Sequence, residues 1–167
     1  MTEPVASRPH MPGYGLQGPG EGTGLLPWSW AQERLKASRE YWVATARRDG
    51  RPHLMPVWGV WHEGAFWFSS GEQSRKARNL RSDPRCSIST SNAAEPVVIE
   101  GLAELVADPS VVQLITGLEK QKYSTEYTAE NLCFKVAPAR AFGTAEDDPT
   151  GSPTRWTFKA DPTGGPG

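Results

Sequence analysis

The chain has 167 residues, with 18 Lys and Arg against 19 Asp and Glu, a formal net charge of −1 and a pI near 6.3. That length suits one domain with a buried core, and the charge balance speaks against broad nucleic-acid binding, which needs a basic excess. Two cysteines, Cys86 and Cys133, with no C-x-x-C pair, argue against a disulfide framework or a zinc site, so a reduced, cytoplasmic setting is the expectation. No apolar run is long enough to cross a bilayer. The opening residues include Pro4, Pro9 and Pro12 and no continuous apolar run, so no secretory leader is expected.

Residues 1–24 are rich in Gly and Pro, show no periodicity, and read as a flexible tail. Gly13, Gly15 and Gly18 match a G-x-G-x-x-G pattern in form only. Such a motif needs a strand before it and a helix after it, and Pro12, Pro19 and Gly20 prevent both. A single domain is expected over 25–159, followed by a second flexible tail over 160–167. Pro27 opens a helix, with Ser29 as a candidate cap, that extends to about Glu40.

Tyr41–Ala46 reads as a strand, and the Asp49-Gly50 pair joins it as a hairpin to an extended run over 51–61. His62-Glu63-Gly64 turns into a further strand from Ala65. A zinc-binding helix there would need a second His that is absent. Ser74 caps a short helix that Asp83-Pro84 ends. Strands are expected at 85–90 and 96–107, a helix from Asp108-Pro109 to about Gln121, and strands at 132–142 and 155–158. Many short antiparallel strands with few helices indicate a mainly β (α+β) fold, a small barrel of six to seven strands.

The run Pro52 to Trp61 is apolar on both faces. Leu54, Pro56, Trp58 and Val60 alternate with His53, Met55, Val57, Gly59 and Trp61. Both faces therefore need a cover: the barrel core on one, and on the other a helix, a partner subunit or a ligand. Pro56 lacks the N–H of a central ladder, which suggests an edge strand, a bulge or an open backbone.

Residues 68–85 hold Arg75, Lys76, Arg78, Arg81 and Arg85, preceded by Ser69, Ser70, Gly71 and Ser74. On a helix starting after Ser74, Asn79 follows Arg75 by four residues and Lys76 by three, so the three can serve one side. With the free N–H groups of the first turn they could hold an anion. The same charges also suit a plain solvated face. A nucleic-acid patch would need aromatic residues between the charges, and these are missing.

"YWVATARRDGRPHLMPVWGVW", "FWFSS", "SRKARNLRSDPR", "VVIEGLAELV" and the late "PTRWTF", in this order, resemble the pyridoxamine 5'-phosphate oxidase-like split β-barrel family. More narrowly they are similar to its flavin/deazaflavin oxidoreductase branch. The resemblance implies a homodimeric split barrel with cofactors at the subunit interface. It implies that His53, Met55, Pro56, Val57 and Trp58 line the cofactor's ring and polyol chain, and that Ser69 and Ser70 approach that chain. It further implies that Ser74, Arg75, Lys76 and Asn79 hold the cofactor phosphate, Lys76 foremost. Arg78, Arg81 and Arg85 could supply a field for the charged tail of coenzyme F-420, although helix geometry points Arg78 away from Lys76 and keeps Arg78 and Arg81 closer to a solvated face.

Family members use FMN or the deazaflavin coenzyme F-420, and some relatives bind haem. The wording "MPVWGVW" and "TRWTF" looks more like the deazaflavin branch. The expected activity is thus an F-420-dependent reductase passing hydride to an activated double bond of a small substrate. An FMN enzyme or a non-catalytic flavin or haem carrier is the alternative. No catalytic residue is assigned: His53, Tyr41 and the pair Glu100 and Glu104 carry no acid/base signature of their own. The acidic stretch Glu146-Asp147-Asp148-Pro149 reads as a loop and matches no part of the family pattern.

Overall fold

The computed structural model describes residues 3–125 and 131–159. In chain order they form β1 (Val5–Ser7), α1 (Trp28–Ala37), β2 (Tyr41–Ala46), β3 (Pro52–Val57), β4 (Val60–His62) and β5 (Ala65–Gly71). Then follow α2 (Arg75–Ser82), β6 (Arg85–Thr90), β7 (Val97–Val106), α3 (Pro109–Tyr123), β8 (Asn131–Gly143) and β9 (Thr154–Thr157). All described pairings are antiparallel, as expected for a mainly β fold with a few short helices.

The main sheet runs β1-β9-β8-β7-β6-β2-β3, and the thirteen-residue β8 is where it forks. One edge of β8 pairs with β7. The other pairs with β5 through its first half and with β9 through its second. β3 pairs only with β2, and β4 only with β5, so the barrel is split between β3 and β5. Tyr41, Val43, Phe66, Phe68, Ile88, Ile99, Phe134 and Trp156 fill its interior. A second, smaller cluster of Val60, Ala65, Trp67, Cys133 and Ile115 lies beneath α3.

Two strands exceed the six or seven expected. The run 51–61 breaks at Trp58-Gly59, where Gly59 packs so closely on the Phe66 ring and the Trp67 carbonyl that a Cβ would not fit. The second is β1, inside the segment expected to be a tail without structure. Val5–Ser7 pairs with β9, and the Arg8 guanidinium donates to the carbonyls of Pro153, Gly18 and Gly151. The acidic stretch has a structural part here: Asp148 accepts from the N–H groups of Thr23 and Gly151. The expected tail over 160–167 lies outside the described residues.

Helix starts follow local chemistry. Ser74 Oγ accepts from the Ala77 N–H at 3.2 Å, and Asp108 accepts from the Ser110 and Val111 N–H groups ahead of Pro109. Ser29, however, lies within α1; Pro27 occupies the N-cap and no side chain caps that end.

Candidate functional site

β3 is an edge strand, as Pro56 suggested. The Arg47 N–H donates to the Arg51 carbonyl at 2.9 Å, so alternation along the ladder makes 45/53, 43/55 and 41/57 the hydrogen-bonded pairs. The backbone groups of Pro52, Leu54 and Pro56 then face the open edge, where two missing N–H groups cost nothing. His53 and Met55 share the face of the buried Thr45 and Val43, while Leu54 and Pro56 share the opposite face with Trp42. Val57 is spent in the core, and Trp58 lies past the strand end, stacked on Tyr123. The five candidates from this stretch thus divide between two faces, the core and a turn.

Strand alternation divides the serines as well. Ser70 Oγ lies 2.8 Å from Ser74 Oγ, beside the start of α2. Ser69 faces α3 and donates to Glu119 at 2.8 Å. α2 packs against β2 and β5. Its Asn79 is buried and donates to Thr45 Oγ1 at 2.9 Å, and Thr45 Oγ1 in turn lies 3.5 Å from the His53 carbonyl. His53, Ser70, Ser74, Lys76 and Asn79 therefore gather around the opening between β3 and β5.

The electrostatics of this corner are one-sided. The His53 imidazole is held below its ordinary pKa by desolvation and by the charges of Arg47, Lys76 and Arg75. Desolvation also lowers Lys76, which has no carboxylate in ion-pair range among the described residues. His53 Nδ1 and Arg47 Nε are buried with no hydrogen-bond partner among the described residues.

Arg75, Arg78, Asn79 and Ser82 share one face of α2, at i, i+3, i+4 and i+7. That face meets the tip of the β2–β3 hairpin to enclose a hollow of about 520 Å³, lined by Arg47, Arg48, Asp49, Arg51, Arg75, Arg78, Asn79, Arg81 and Ser82. Arg51 pairs with Asp49 and Arg81 with Glu72. Arg47, Arg75 and Arg78 have no ion pair among the described residues. Arg78 and Arg81 line this basic hollow and remain exposed to solvent, as residues of a solvated face do. Lys76 does not line the hollow, though its charge reaches His53 as those of Arg47 and Arg75 do, and Arg85 is engaged by Asp83. This donor set fits an extended anion: the desolvated Lys76, the unpartnered Arg47 Nε–H and the exposed arginines of the hollow stand beside an edge strand with an exposed Met55.

Sequence reasoning missed Thr45, the hairpin arginines Arg47, Arg48 and Arg51, and the α3 residues Glu119 and Tyr123. The hairpin arginines had a signal, three cations flanking an Asp-Gly turn, but the turn was read only as a connection. α3 had none, because its approach to β5 and to Gly59 is a tertiary event.

Among the described residues no group of three or more His, Cys, Asp or Glu is arranged to hold a metal ion, and no helix is long and apolar enough to cross a membrane.

Several solved structures share the fold. A conserved hypothetical protein from Mycobacterium tuberculosis, Rv2991, aligns with a TM-score of 0.64 and 22% identity over 84% of this chain and 93% of its own. A structure described as an F420 reductase aligns at 0.56 and 23% identity, covering 66% and 94%. The haem storage protein HutZ from Vibrio cholerae aligns at 0.57 and 16%, covering 66% and 88%. No protein of curated function matches the sequence. The sequence model of the pyridoxamine 5'-phosphate oxidase family matches residues 30–158, from α1 through the end of β9, and the chain belongs to that family.

Proposed function

We propose that this protein is a coenzyme F-420-dependent oxidoreductase that works as a homodimer and passes a hydride to an activated double bond of a small organic substrate. The observation that carries the choice of cofactor is the arginine hollow. FMN ends in one phosphate, for which the Ser74–Lys76 turn and Asn79 hold donors enough. Coenzyme F-420 continues past a phosphodiester into several glutamates. Six arginines around about 520 Å³, of which Arg51 and Arg81 are paired with Asp49 and Glu72, suit the longer and more highly charged tail. The likeness in fold to an F420 reductase agrees with this reading.

When bound, the deazaflavin would supply the hydride chemistry. The chain's own residues bind and orient. Ser74, Arg75, Lys76 and Asn79 take the phosphate, with Lys76 recovering the desolvation it suffers. Ser70 reaches the polyol beside Ser74, and Ser69 is held back on Glu119. His53 and Met55 on one face of β3, with Trp58 past its end, form the wall against which the ring lies, while Val57 belongs to the core and Pro56 to the opposite face.

Titration of the purified protein with coenzyme F-420 and with FMN, side by side, tests the proposal. Tighter binding of F-420, weakened steeply by salt, is expected. Tight FMN binding with none of F-420 would overturn the cofactor. A stoichiometric flavin or haem complex that never reduces a broad panel of electrophiles would replace the enzyme by a carrier.

A further inference from the structure

Tyr123, at the end of α3, reaches the groove wall from behind. Its ring lies 5.0 Å from that of Trp58 and within 8° of parallel. The Arg39 guanidinium and the Lys122 ammonium lie 5.6 and 5.4 Å from the Tyr123 ring centroid. The Tyr123 hydroxyl accepts from the Gly59 N–H at 2.9 Å, and it lies 2.8 Å from the Gly59 carbonyl and 2.6 Å from that of Arg39. Lys122 donates to the Gly59 carbonyl at 3.0 Å and to the Tyr41 hydroxyl at 2.8 Å. The residue after Trp58 is thereby fixed at both its N–H and its carbonyl, and it has no room for a side chain.

Trp58 itself stays 47% exposed. An indole used only as filler would be covered. This one has a tyrosine stacked beneath it and a clamped backbone behind it, and it stands at the end of the edge strand that borders the opening. Its rotamer and height are set before any ligand arrives, which is the arrangement that lowers the ordering cost of stacking.

We propose that Tyr123 is a positioning residue that holds the Trp58 ring as a platform on which a planar aromatic ring stacks. The inference rests on the reading of β3 as the wall of a cofactor groove, and assigns to α3 the part of the site that recognises the ring rather than the anion.

The test measures binding of coenzyme F-420 and, separately, of inorganic phosphate to the wild-type chain and to Tyr123→Leu, Tyr123→Phe, Trp58→Ala and the double variant Trp58→Ala/Tyr123→Leu. Expected are a roughly tenfold loss of F-420 affinity in Tyr123→Leu and about threefold in Tyr123→Phe, which keeps the stack and loses the clamp. Phosphate binding should not change. Because Tyr123 acts through Trp58, the double variant should be no weaker than Trp58→Ala alone. Additive losses, unchanged F-420 affinity in a folded Tyr123→Leu, or equal losses for phosphate would each overturn the proposal. Should Tyr123→Leu not fold, Tyr123→Phe decides, and unchanged F-420 affinity there counts against it. A wild-type chain that binds neither F-420 nor FMN would sink the reading of the groove, and this inference with it. Normal wild-type binding with uncoupled variants would sink the inference alone.

Discussion

Ser69 Oγ donates to Glu119 at 2.8 Å, while the second oxygen of that carboxylate is buried without a hydrogen-bond partner among the described residues. Glu119 has no exposed surface, and burial raises its pKa to about 7, the Ser69 bond opposing only part of the rise. Its charge in turn contributes to raising Cys133 and Tyr123. The folded state therefore binds this proton more tightly than the unfolded chain does. Stability from Glu119 is fully present below its ordinary pKa and is lost as pH rises through about 7. Glu119→Gln cannot ionise, so its stability relative to wild type should grow between pH 5 and pH 8 by up to about 3 kcal/mol. Denaturant unfolding across that range measures it, and a pH-independent difference would mean that Glu119 is not protonated in the fold.

His53 offers a spectroscopic reading of the anion site. Its imidazole is lowered first by desolvation and then by Arg47, Lys76 and Arg75. An anion seated between those cations cancels their charge, so the pKa of His53 should rise on titration with phosphate or cofactor. NMR titration of the imidazole shows the change directly. An unmoved or lowered value would place the anion elsewhere.

Lys76 and Arg78 separate the two parts of the basic corner. Lys76 is partly desolvated, stands outside the arginine hollow and acts on His53 through its charge, whereas Arg78 lines the hollow. Lys76→Ala should weaken FMN and coenzyme F-420 alike, by tenfold or more, as loss of a charge-assisted phosphate contact does. Arg78→Ala should weaken F-420 severalfold and leave FMN nearly unchanged. Equal effects of both substitutions on both ligands would indicate a diffuse positive field without a defined phosphate position.

The local features of this fold were legible in the residues. The Asp49-Gly50 hairpin, the Ser74 cap and the Asp108-Pro109 helix start each depend on a few neighbouring side chains, and each forms as expected. Pro56 marked an edge because a missing N–H is a property of one residue. The site was legible only where its members are close in sequence. Lys76 with His53, Asn79 with Thr45, and Arg78 with the hairpin arginines are pairings across the sheet, and no spacing rule reports them. The need for glycine at position 59 was hidden for a similar reason, since it is Phe66 and Trp67 on the next hairpin that exclude a side chain there.

The outer face of the β2–β3 hairpin bears on assembly. Trp42 lies opposite Pro56, and Leu54 opposite Ala44, and none of the main apolar side chains on this face is covered: Trp42 is 42% and Leu54 57% exposed. An apolar patch on an edge hairpin is unstable in water unless something seals it, and a second copy would close the edge and bring two grooves to one interface. Analytical ultracentrifugation should therefore find a dimer. Leu54→Arg places a charge in the centre of that face without touching the core, so the variant should sediment as a folded monomer. If the grooves lie at the interface, it should also lose most of its cofactor affinity while retaining binding of inorganic phosphate at α2. A wild-type chain that sediments as a monomer, or a Leu54→Arg chain that remains a dimer, would show that this face is not where two copies meet.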